Sequence, residues 1–107
     1  MINYDEFKKV ERKVGTVVVA ERVAGSEKLL KLMVEIGEPT PRQIIAGIGK
    51  VYEPTALVGK QIVIAANLEP RQLMSLESQG MLLAADGADG PVVIMPEKPV
   101  VSGTLLK

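Results

Sequence analysis

Between Asn67 and Gly80 the chain sets Asn67, Arg71, Ser78 and Gln79 among Leu68, Leu73, Met74 and Leu76. Two amides, a guanidinium and a hydroxyl donate and accept hydrogen bonds, which is the chemistry of holding a ligand rather than of breaking its bonds. Met74 and Met81 add adaptable apolar surface beside them. A connection of this length without a strand or helix period is uncommon, and it is usually functional or disordered. This one is too apolar to be disordered. Packing of its leucines over one end of a fold accounts for the apolar half without any function.

Catalysis has little to stand on. The chain contains no cysteine and no histidine, so thiolate chemistry, disulfides and every Ser-His or Cys-His dyad are absent. Asp5, Glu35 and Glu38 fall on different elements, and no carboxylate pair for acid–base work can be placed. Gly47-Ile48-Gly49-Lys50 invites a phosphate-loop reading, but that motif needs an earlier glycine and a hydroxyl after the lysine. Ile44 and Val51 occupy those positions, and a bend leaving a strand is the simpler account. No cofactor or metal is expected.

Thirteen basic and thirteen acidic side chains give a formal net charge of zero, which argues against indiscriminate nucleic-acid binding but leaves room for a local basic patch. One phenylalanine, two tyrosines and no tryptophan make a poor stacking platform for single strands. RNA held by such a chain would be read by shape, backbone contacts and a few loop hydrogen bonds.

The length predicts one domain. Asn3 is a suitable N-cap for a short helix over Tyr4 to Val10, whose Tyr4 and Phe7 share a face and serve as its anchor. Lys13 to Ala20 is β-branched and carries Gly15, which suits a bulge or sharp bend. Leu30, Leu32, Val34 and Ile36 alternate with polar or exposed neighbours as a half-buried strand does, and Arg42 to Ala46 returns beside it. Pro54 to Val58 makes one helical turn before Gly59. Gln61 to Ala66, Met81 to Ala85 and Pro91 to Met95 complete the strands, and the tail is extended. This is the order of an all-β fold, a five-stranded OB-fold barrel with a short N-terminal helix and a C-terminal extension. An SH3-like barrel or small sandwich fits the strand count nearly as well but places the helical turn less naturally. In an OB-fold, ligand loops lie between strands one and two and between four and five, here Val23 to Lys28 and Asn67 to Gly80. The start, Met1 to Glu6, has no leader pattern, and no apolar run is long enough for a bilayer, so a cytoplasmic chain with no membrane partner is expected.

Ala66-Asn67-Leu68-Glu69-Pro70-Arg71, then Leu73-Met74, then Glu77-Ser78-Gln79-Gly80-Met81-Leu82-Leu83-Ala84-Ala85 resemble the signature of the methionyl-tRNA synthetase C-terminal and β-subunit tRNA-binding domain family. That family includes free-standing structure-specific tRNA-binding proteins and a bacterial secretion chaperone. Phe7-Lys8-Lys9-Val10, Arg12 to Gly15, Lys28-Leu29, Pro41 to Ile44 and Leu57 to Lys60 extend the likeness over nearly the whole chain. The resemblance implies a non-catalytic OB-fold domain that dimerises through its C-terminal extension and binds the outer corner and elbow of tRNA by shape. A synthetase catalytic chain is a further implied partner, and a chaperone-like peptide-binding dimer is the alternative. Carried over by motif position, the tRNA-binding residues are Lys28, Arg42, Asn67, Arg71, Ser78 and Met81. Two departures lower the positive charge where phosphates would sit. Val23-Ala24 and Glu27 replace a common His-Pro and Asp of the first loop, and Glu69 and Gln72 stand where lysines are frequent.

Overall fold

The computed structural model describes all 107 residues. Helix α1 (Tyr4–Lys8) is followed by β1 (Arg12–Arg22), β2 (Leu30–Glu35), β3 (Arg42–Ala46), α2 (Pro54–Leu57) and β4 (Gln61–Ala65). Then come the short strands β5 (Arg71–Leu73), β6 (Leu76–Ser78), β7 (Met81–Leu82), β8 (Ala84–Gly87) and β9 (Gly90–Val93). The main sheet runs β3-β2-β1-β4-β7 and curls into a nearly closed five-stranded barrel of the OB type. No helix is long and apolar enough to cross a membrane.

The long first strand makes this curl possible. Arg12 to Thr16 pair with β4, whereas Thr16 to Arg22 pair with β2, so β1 serves both sides of the barrel. The register slips between Val17 and Val19, leaving Val18 as the extra residue of a bulge that bends the strand. The expected bend is therefore present but does not sit at Gly15. Gly15 pairs regularly with Ile62, and its lack of a side chain answers to packing: a Cβ there would lie 2.9 Å from Ile36 Cγ2 and still closer to Val34 Cγ1.

Alternation puts Leu30, Leu32 and Val34 of β2 wholly inside, opposite Ile44 of β3 and Ile62 and Ile64 of β4. Helix α2 contributes Leu57 to the same core, with proline in its first turn as its sequence requires. The tail covers the β1 edge that β2 leaves open. Val14 N–H donates to Thr104 O at 2.9 Å, Gly103 N–H to Val14 O at 2.7 Å, and Leu106 N–H to Arg12 O at 2.7 Å. Helix α1 departs from its expected role as an anchor. Its capping box at Asn3 and Glu6 is complete, yet it buries no residue, and Tyr4 remains 67% exposed. Arg12 instead lies 3.8 Å from the centroid of the Phe7 ring and donates to Phe7 O at 3.0 Å.

The stretch expected to be a loop without secondary structure is a hairpin. Strands β5 and β6 pair from Arg71↔Ser78 to Leu73↔Leu76, with Met74 and Ser75 alone in the turn. Both have positive φ, 49° and 67°, the conformation of a type I′ turn that Asn-Gly adopts more readily. Replacing Met74-Ser75 by Asn-Gly is expected to stabilise the fold by about 1 kcal/mol. A thermal melt should show a rise of roughly 4–8 °C.

Candidate nucleic-acid interface

The β5–β6 hairpin lies along the free edge of β3 and closes the barrel there. On that edge, Gln43 N–H donates to Gln79 Oε1 at 2.9 Å, and Gln79 N–H donates back to Gln43 O at 2.8 Å. Ile45 N–H donates to Ser78 Oγ at 3.0 Å, and the same hydroxyl donates to Gly80 O at 2.8 Å. Ser78 is only 3% exposed. Its hydroxyl thus satisfies a buried amide of an edge strand, which would otherwise lack a partner.

Two more of the residues singled out from sequence are engaged in the same internal way. The Asn67 side chain accepts from Glu11 N–H at 2.8 Å and donates to Lys9 O at 2.6 Å, clamping the connection between α1 and β1. Arg42 places Nε and Nη2 on the two Glu38 carboxylate oxygens, each at 2.9 Å. Its Nη1 donates to Gln79 O at 3.1 Å and also to Ala66 O. The hydrogen bond from Arg42 holds the Glu38 carboxyl below its ordinary value, and the same bond raises the guanidinium. Arg42 therefore staples the β2–β3 turn to both ends of the hairpin segment.

Lys28, Arg71 and Met81 remain, and the fold brings these three together. They line one open cleft of about 320 Å³ between the first loop and the hairpin, whose floor includes Ile45 and Leu82. Lys28 and Arg71 are exposed, and neither forms an ion pair. None of the 12 lining residues is a carboxylate. The other concavities with basic walls differ in this respect. Lys31 and Arg22 share a hollow of about 480 Å³, but Lys31 is paired with Glu21 and Arg22 with Glu53, at 2.9 and 3.2 Å. Lys60 and Lys98 face a hollow of about 310 Å³ that Glu97 also lines. Lys8, Arg12 and Lys107 face a hollow of about 80 Å³ that Glu11 also lines. The cleft at Lys28 is the one with basic walls and no carboxylate, and it sets two unpaired cations over an apolar floor, an arrangement suited to phosphates flanking less polar groups.

Sequence reasoning missed the residues that support Lys28. Gly49 N–H donates to Lys28 O at 2.7 Å, Leu29 N–H to Ser26 Oγ at 3.1 Å, and Val23 N–H to Leu29 O at 3.2 Å. The two glycines read as a bend are thus the seat of the first loop. Their i, i+2 spacing was the available signal, but it does not say what rests on them.

A model of the putative tRNA binding domain matches residues 13–105. The chain belongs to the tRNA-binding domain family. It is 52% identical over 103 residues to the methionine–tRNA ligase of Methanothrix thermoacetophila, a match that covers 96% of this chain and 15% of that protein. The domain thus spans about 15% of the length of such a relative. Its backbone superposes on a methionyl-tRNA-synthetase-related protein from Pyrococcus horikoshii with a TM-score of 0.92 at 36% identity, covering 100% of this chain and 98% of that one. The chaperone CsaA of Bacillus anthracis gives a TM-score of 0.89 at 29% identity, with 100% and 99% of the two chains covered.

Proposed function

We propose that this domain binds folded tRNA, without catalysing any reaction, through the cleft between the first loop and the β5–β6 hairpin. The observation that carries this reading is the convergence of unpaired Lys28 and Arg71, with Met81, on one carboxylate-free cleft in a chain of the tRNA-binding family. Lys28 and Arg71 take phosphates, and Met81 gives apolar contact to the ribose or base between them. Arg42 and Ser78 act one step back, by fixing the hairpin segment, and Asn67 ties the start of that segment to the connection between α1 and β1. Few cations and few aromatics favour recognition of the rigid outer corner and elbow over recognition of base sequence. Fluorescence anisotropy with folded tRNA, competed by the same RNA unfolded, tests the reading. Folded tRNA should compete far better, and affinity should fall steeply with salt. Equal competition with no salt dependence would favour the chaperone-like reading, in which the ligand is a peptide.

The domain's relatives support a reading of its cellular setting. We read it as a cytoplasmic tRNA-binding module of methionyl-tRNA synthetase, acting either within one chain or in trans as a β subunit. A homodimer completes the proposal. Tyr4, Phe7 and Val10 meet Leu105 and Leu106 around a small apolar hollow of about 80 Å³, and a second copy would cover this surface. Since α1 buries no residue, Tyr4→Ser with Phe7→Ser leaves the barrel folded. Sedimentation at micromolar concentration should show a dimer for the parent and a monomer for this variant; a monomeric parent contradicts the proposal.

A further inference from the structure

We propose that Gly47 is a positioning residue for tRNA binding, because its bare α-carbon is the bed that directs the Lys28 side chain into the cleft. The inference rests on the reading that Lys28 contacts the RNA. A Cβ built at Gly47 would lie 2.9 Å from Lys28 Cε, 3.7 Å from Cγ and 3.8 Å from Cδ. These are its three nearest neighbours, so the lysine stem runs across Gly47 from near its root to the carbon bearing the ammonium. Gly47 has no positive φ, in contrast to Gly25 and Gly37. Glycine is thus not needed there for backbone conformation, and space for the lysine is the remaining reason.

The backbone of Lys28 is held separately. Its carbonyl accepts from Gly49 N–H at 2.7 Å, and the Ser26 hydroxyl and Val23 carbonyl fix the rest of the loop. A methyl group at Gly47 therefore meets the far end of a flexible side chain rather than backbone, and the stem moves while the loop stays. A lysine is a point charge on a long, rotatable stem. Laying that stem on a flat backbone surface removes many of its rotamers before RNA arrives, which lowers the cost of ordering it on binding. Gly47 and Lys28 both line the cleft, so displacing the stem changes where the charge stands relative to Arg71.

The test combines a double-mutant cycle with a readout that needs no RNA. Dissociation constants for folded tRNA are measured for the parent, Gly47→Ala, Lys28→Ala and the double variant, alongside thermal melts. Lysine Cε signals are followed by NMR in the RNA-free protein. Gly47→Ala should melt like the parent, bind roughly 3- to 10-fold more weakly, and shift the Lys28 Cε signal while leaving the other lysines in place. In the Lys28→Ala background the glycine substitution should have no further effect on binding. A Lys28 signal that does not move overturns the inference, as does a Gly47→Ala effect that persists at full size without the lysine. If the signal moves but Lys28→Ala binds like the parent, the stem does lie on Gly47 but the RNA does not use it. The underlying site reading then fails, and the role of Gly47 in binding fails with it.

Discussion

Arg71→Ala and Lys28→Ala should each weaken binding to folded tRNA about tenfold or more, and neither should move the melting temperature appreciably. A hydrogen bond between a charged side chain and a phosphate contributes on the order of 1.5–3 kcal/mol, which is the size of loss expected for each. Both side chains are exposed and unpaired, so the fold loses no ion pair and leaves no buried group without a partner when they are removed. Removing both should lower affinity by about two orders of magnitude, because no other unpaired basic side chain lines the cleft. Titration calorimetry and a melt in the same buffer check this. Parent-like binding by the double variant would place the RNA elsewhere on the domain.

Ser78→Ala should behave in the opposite manner. It strips the Ile45 amide of its acceptor and the Gly80 carbonyl of its donor, both at the seam between β3 and the hairpin. An unsatisfied buried donor costs about 1–3 kcal/mol, a large fraction of the stability of a domain this small. The expected result is a melting temperature lower by roughly 4–8 °C per kcal/mol lost. Affinity measured well below that melt should stay close to the parent's, since the hydroxyl is already bonded on both sides and Ser78 is not among the residues lining the cleft. Loss of affinity without loss of stability would return Ser78 to the RNA-contacting set. Arg42 belongs with Ser78 for the same reason, because its fork is filled by Glu38 and by two carbonyls of the hairpin segment. Protonating Glu38 in acid weakens that staple, and its depressed carboxyl value keeps the pair intact to lower pH than an ordinary glutamate would.

The parts of the fold legible in the sequence are those with a local period or local punctuation. Leu30, Leu32, Val34 and Ile36 alternate, and they are the inner face of β2. Pro54 and Gly59 bracket α2, and Asn3 caps α1. The hairpin is hidden in the sequence because each of its strands has three residues, too few for a period. Its turn also uses Met74 and Ser75 where sequence reading looks for asparagine and glycine. Glycine marks a bulge or sharp bend, so the sequence points to Gly15, but Val18 bears the bulge and carries no such mark. The candidate site divides in the same way. Family resemblance picked out all six residues from the chain. Only the tertiary arrangement shows that Lys28, Arg71 and Met81 share a cleft, while the Asn67, Arg42 and Ser78 side chains do not line it and are bonded to backbone groups. The loop that Gly47 and Gly49 support lies about twenty residues earlier, and no local pattern records that contact.

The salt dependence of tRNA binding tests the central claim most directly. A plot of log affinity against log salt counts the phosphates a protein engages, and each contact contributes a slope of a little under −1. The parent should give a clear negative slope. In the double variant Lys28→Ala with Arg71→Ala, the slope should become shallower by about 2 for each chain the RNA engages. A double variant that keeps the parent's slope would show that neither cation meets a phosphate, and the assignment of the cleft as the tRNA interface would be wrong.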